Sequence, residues 1–148
     1  MHDNPTKPRV LVIDDQASIR FLLTQLLSRD FEVSCACGVD DGLSRLGVFK
    51  PDVILMDVDM PGKNGIQGLR EIRKLDPDVR MVVMTGSFLS VDRDSFLALG
   101  ADAFIAKPYA TRELLDLVTR LAGDSFGRRS PCAAQDARRF SYEQLDVI

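Results

Sequence analysis

Five times along this chain a short apolar run gives way to a segment in which apolar residues return every three or four positions. Strand and helix periods that alternate in this way, over short connections, mark a series of βαβ crossovers. The pattern predicts an α/β fold: one parallel sheet with helices on both faces, from about residue 9 to residue 122. The runs are Arg9-Val10-Leu11-Val12-Ile13, Glu32-Val33-Ser34-Cys35-Ala36, Val53-Ile54-Leu55-Met56, Arg80-Met81-Val82-Val83-Met84 and Ala103-Phe104-Ile105-Ala106. Continuous apolar character is what strands buried on both faces require. The second run is less apolar, which suits a sheet edge.

Between the runs, Ile19, Leu22, Leu23, Leu26 and Leu27 form the stripe of a helix over residues 16–28. Leu43 and Leu46 mark a shorter helix over 39–48. Ile66, Leu69, Ile72 and Leu75 mark a third, closed by Asp76-Pro77. A weaker fourth covers 91–99 and stops at Gly100. The fifth carries Leu114, Leu115, Val118 and Leu121, with Thr111 read as its cap and Glu113 one residue short of a capping box.

A chain of 148 residues has room for one domain with a core and a modest extension. A net charge of -3 argues against a nucleic-acid footprint. No apolar run approaches the roughly 20 residues of a membrane span, and residues 1–8 lack a signal-peptide core, so a polar leader and a cytoplasmic location are expected. Cys35 and Cys37 are read as small thiols on one strand face. As a metal pair they lack a further Cys or His nearby, since the only histidine is His2 in the leader. From residue 123 the composition turns to that of a linker or C-terminal tail, and residues 136–148 carry at most the ragged stripe of a short helix. That segment is too short for a helix-turn-helix output domain with its own core. The chain is therefore expected to be either a free-standing module or the front of a longer protein.

Chemistry in a parallel α/β sheet gathers just past the carboxyl ends of the strands. There the sequence places Asp14-Asp15 after the first run, Asp57 after the third, Thr85 after the fourth and Lys107-Pro108 after the fifth. Taken alone, Asp57 reads as a strand end or a turn cap; the other strand ends change that reading. Carboxylates about 5–6 Å apart repel by about 3 kcal/mol per pair at an effective dielectric near 20. A cluster of three needs cations to persist; Lys107 supplies one, and the all-oxygen donors favour Mg²⁺ over zinc for the rest. A carboxylate with Mg²⁺, a hydroxyl and an ammonium around it matches the needs of phosphoryl transfer, the carboxylate being the nucleophile.

These residues, in this order, resemble the receiver domain of bacterial two-component response regulators, over residues 9–122. The resemblance implies a flavodoxin-like (βα)5 three-layer sandwich with strand order 2-1-3-4-5. It implies Asp57 as phospho-acceptor, and Mg²⁺ bound by Asp15, the Asp57 side chain and the Asp59 backbone carbonyl, with Asp14 acting through water. Thr85 and Lys107 would hold the phosphoryl oxygens, and the bond before Pro108 is typically cis, which turns the lysine inward. Phe104 falls at the aromatic switch position, although an ordinary core aromatic is the competing reading. The partners implied are a sensor histidine kinase or phosphotransfer protein and a downstream protein target or fused output domain. Neither nucleic acid nor a membrane is implied. The module would catalyse its own phosphorylation and hydrolysis and turn over no outside substrate.

Some residues depart from the family pattern. Gly86 stands where a small Cβ-bearing residue is usual, which predicts a looser loop. Asp59 adds a carboxylate at the mouth of the site, where it would oppose a phosphodonor or disturb attacking water. Residues 87–99 match the family least clearly. Lys63 and Asn64 are read as solvated loop residues. Two rival readings are a haloacid-dehalogenase-type phosphatase, suggested by Asp57-Val58-Asp59 but with the pair on the wrong strand, and a receiver that binds partners without being phosphorylated.

Overall fold

A computed structural model describes residues 7–59, 65–86 and 91–128. The apolar runs form β1 (Arg9–Ile13), β2 (Glu32–Ala36), β3 (Val53–Asp57), β4 (Arg80–Thr85) and β5 (Ala103–Ala106). Alternating with them are α1 (Ala17–Leu27), α2 (Val39–Phe49), α3 (Gly65–Leu75), α4 (Val91–Ala98) and α5 (Thr111–Arg128). All pairings are parallel, and the strand order is β2-β1-β3-β4-β5. The less apolar β2 lies at one edge, and β5 at the other.

Strand side chains alternate between faces, so each run splits into two sets. Val10, Val12, Val53, Leu55, Val82, Met84, Ala103 and Ile105 pack with Leu23 and Leu27 of α1 and Leu114, Val118 and Leu121 of α5. Leu11, Ile13, Ile54, Met56, Met81 and Val83 pack the other way, with Val39 and Leu46 of α2, Leu69 and Ile72 of α3 and Phe96 of α4. Each fully buried aliphatic side chain contributes roughly 1.5–3 kcal/mol relative to exposure. The two cores hold the sheet between them, and its carboxyl edge becomes the platform for the site.

Local differences from the sequence reading have physical causes. Helix α5 begins with Thr111 as its first residue, so Ala110 is the cap. Glu113 is then the third residue, and its carboxylate accepts the Ala110 N–H at 3.0 Å. That contact is half of a capping box, in a register one residue earlier than expected. The same helix runs through Gly123 and Gly127 to Arg128, so the segment read as linker starts as helix; a glycine costs only about 1 kcal/mol against alanine and does not by itself stop a long helix. Cys37 lies past the end of β2 and is exposed, whereas Cys35 is half-buried against Thr24 of α1. The expected turn at residues 60–64, with Lys63 and Asn64, falls outside the described residues, as do residues 1–6, 87–90 and the expected short helix at 136–148.

Candidate functional site

In the pairing of β1 with β3, Ile13 stands opposite Met56, so the next residues, Asp14 and Asp57, lie side by side at the carboxyl edge. Both continue the alternation of the residues that face α1 and α5. On the other side Asp57 is in register with Met84, one residue before Thr85, and Thr85 pairs with Ala106, one residue before Lys107. Backbone bonds carry the ladder past the strand ends: Asp14 N–H to Ala36 O at 3.0 Å, Val58 N–H to Met84 O at 3.0 Å, and Lys107 N–H to Thr85 O at 2.7 Å. The acids, hydroxyl and amine are thus set by sheet register.

Asp14, Asp57 and Thr85 are buried, whereas Asp15 is exposed. One carboxylate oxygen each from Asp14, Asp15 and Asp57 lies within 4.8 Å of the others. Lys107 Nζ stands 3.4 Å from Asp57 Oδ2. The other oxygen, Oδ1, accepts the Asp59 N–H at 2.9 Å. Asp14 Oδ1 accepts the Gln16 N–H at 2.9 Å, while its buried Oδ2 has no hydrogen-bond partner among the described residues. Burial raises the Asp14 carboxyl above the usual carboxylate range, and the nearby charges of Asp57 and Asp15 push the same way; the Gln16 N–H and Lys107 oppose them.

The donor set suits a hard divalent cation. Carboxylate oxygens within 4.8 Å of one another could hold such a cation, some directly and others through bound water. The orphan Asp14 Oδ2 is what a cation or a metal-bound water would satisfy. All ligands are oxygens, which disfavours zinc.

Asp59 is found in a place its sequence position did not disclose. Its carboxylate turns to β4, accepting the Thr85 hydroxyl at 3.1 and 3.2 Å and the Gly86 N–H at 2.7 Å. Gly86 is therefore held at its amide, although a looser loop was expected there. A Cβ at Gly86 would make only ordinary contacts, 3.7 Å to Asp59 Oδ2 and 4.0 Å to Lys107. Phe104 is half-buried on the α4 side, its ring 6.2 Å from that of Phe96. The Lys107-Pro108 bond is cis.

Tyr109 escaped the sequence reading. It packs against the α1–α5 core, and burial, with the charges of Asp14 and Asp57, raises its hydroxyl above its ordinary value. The signal available was an aromatic directly after Lys-Pro.

The family described as response regulator receiver domain matches residues 10–119. Among solved structures, the chain is similar to a CheY-like response regulator receiver domain protein from Methanospirillum hungatei, at 29% identity and a TM-score of 0.75, covering 81% of this chain and 97% of that one. It is also similar to the chemotaxis protein CheY4 of Vibrio cholerae, at 25% identity and a TM-score of 0.74, covering 78% and 99%. NtrX from Brucella abortus matches at 27% identity and a TM-score of 0.79; the match covers 86% of this chain but 30% of NtrX.

Proposed function

The chain belongs to the response regulator receiver domain family, and on that premise we propose that Asp57 accepts a phosphoryl group under Mg²⁺. The general role of such domains is a phosphorylation switch in two-component signalling. The donor proposed is a phosphohistidine on a sensor kinase or phosphotransfer protein. An Asp57 carboxylate oxygen attacks phosphorus as the phosphorus–nitrogen bond breaks, and the imidazole leaves with the electron pair and takes up a proton. The product is an acyl phosphate. Water later attacks the same phosphorus, the bond to Asp57 oxygen breaks, and inorganic phosphate leaves as the carboxylate is regenerated.

The observation that carries this reading is the Lys107 amine 3.4 Å from Asp57 Oδ2, beside the carboxylates of Asp14 and Asp15. With Oδ1 engaged by the Asp59 N–H, Oδ2 is the oxygen beside the Lys107 ammonium. Lys107 neutralises charge on the transferring group, and the Thr85 hydroxyl at the end of β4 donates to it. Asp15, Asp57 and the Asp59 carbonyl would hold Mg²⁺, with Asp14 reaching it through water. When bound, the ion neutralises phosphoryl oxygens and offsets repulsion among the acids.

Output follows from the same geometry. Movement of Thr85 toward a phosphoryl group would let Phe104 shift inward, loosening its contact with Phe96 and reshaping the surface of α4, β5 and α5. A protein target or an attached output domain reads that surface. No helix among the described residues is long and apolar enough to cross a membrane.

Incubation with acetyl phosphate and Mg²⁺, followed by intact-mass measurement, tests the reading. One added phosphoryl group is expected, absent in Asp57→Ala and absent with chelator. No adduct on the wild-type chain, or an adduct that persists in Asp57→Ala, would overturn it.

A further inference from the structure

Thr85 and Gly86 present a hydroxyl and an amide N–H at the end of β4, and both already have an anionic partner. Thr85 Oγ1 lies 3.1 and 3.2 Å from the two carboxylate oxygens of Asp59, and the Gly86 N–H donates to Oδ2 at 2.7 Å. The Asp59 backbone in turn donates to Asp57 Oδ1 at 2.9 Å, so the blocking carboxylate is tethered to the acceptor itself. A phosphoryl group on Asp57 carries terminal oxygens of the same charge sign that seek the same kind of donor.

We propose that Asp59 is a built-in competitor: its carboxylate fills, in the unphosphorylated chain, the donor pair that a phosphoryl group on Asp57 must take. The proposal rests on Asp57 being the phospho-acceptor. Phosphorylation then exchanges one anion for another at Thr85 and Gly86. Asp59 changes only hydrogen bonds, while the covalent exchange is confined to Asp57, phosphorus and the leaving group. Asp59 is exposed, so it can swing into water as the phosphoryl group enters and return after hydrolysis. Position alone would make Asp59 a diffuse charge at the mouth; its bonds to Thr85 and Gly86 make it an occupant of particular donors.

The test compares wild type, Asp59→Ala and Asp59→Asn in two measurements. In ¹H–¹⁵N spectra without any phosphodonor, the Gly86 amide of wild type is expected far downfield, as for a short bond to a carboxylate, and to move upfield in Asp59→Ala. With acetyl phosphate and Mg²⁺, Asp59→Ala is expected to be phosphorylated faster than wild type by on the order of tenfold. Asp59→Asn, which keeps an acceptor oxygen but no charge, should fall between them. A Gly86 amide that does not move in Asp59→Ala, or equal rates for wild type and Asp59→Ala, would overturn the competitor while leaving Asp57 as acceptor. No adduct on any of the three chains would remove the phospho-acceptor reading, and the competitor with it.

Discussion

Arg73 Nη2 stands 2.7 Å from Asp102 Oδ2, at the end of the sheet opposite the acids. The same carboxylate accepts Arg80 Nη1 at 2.9 Å and the Met81 N–H at 2.9 Å. Arg73 also donates to the carbonyls of Gly100, Pro77 and Val79, tying α3 to the entrances of β4 and β5. Arg80 is only 3% exposed, so losing the Asp102 carboxylate takes an anionic partner from a buried guanidinium. Asp102→Ala is expected to cost about 3–5 kcal/mol, toward the lower end because Arg73 reaches some solvent. Urea unfolding measures this, and the Mg²⁺ midpoint should stay unchanged. A loss below about 1 kcal/mol would show that the network is not a clamp.

Lys107 affects two ligands in opposite directions. Its amine repels a cation among the acids and attracts a phosphoryl oxygen. Lys107→Met is therefore expected to bind Mg²⁺ more tightly, while acetyl phosphate labels it about 10²-fold more slowly. Fluorescence or calorimetric titration reads the first effect and intact mass the second. Parallel losses of both would mean that the lysine mainly holds the pocket together.

For Asp14 the sign follows from its raised pKa: folding disfavours the charged carboxylate there. In chelator, Asp14→Asn should stabilise the fold by on the order of 1–3 kcal/mol, visible as a rise of several degrees in Tm. In Mg²⁺ the advantage should shrink or reverse, because the ion compensates the wild-type charge. Thermal melts with and without Mg²⁺ give both values, and destabilisation in chelator would contradict the account.

Two glycines separate close packing from open helix surface. A Cβ at Gly65 would collide with the Val58 side chain and lie 3.1 Å from Val58 Cα, immediately after Asp57. Gly65→Ala is expected to cost about 1–3 kcal/mol and to slow phosphorylation by shifting Val58. A Cβ at Gly47, inside α2, meets nothing within 4 Å. Gly47→Ala should stabilise by about 0.5–1 kcal/mol. Urea titration of the pair should give opposite signs.

The sheet was legible because its strands are buried on both faces, so their apolar runs needed no partner to be recognised. The acids, Thr85 and Lys107 were legible for a related reason: each follows such a run directly. What escaped depends on where side chains turn after the backbone is set. Thr111 looked like a cap because its hydroxyl suits one, yet Glu113 bonds to Ala110 and moves the helix start. Asp59 was visible as a charge, but its hold on Thr85 joins residues 26 apart across β3 and β4. Arg73 and Asp102 are 29 apart, on elements whose apolar patterns carry no information about that pairing.

The β1–β3–β4 register brings Asp14, Asp57 and Thr85 together from segments far apart in the chain. An unfolded or half-zipped chain has the same residues but no pocket. Acyl-phosphate yield should accordingly fall in step with the native population during denaturation, so that the chain's own chemistry reports how much of it has completed its sheet.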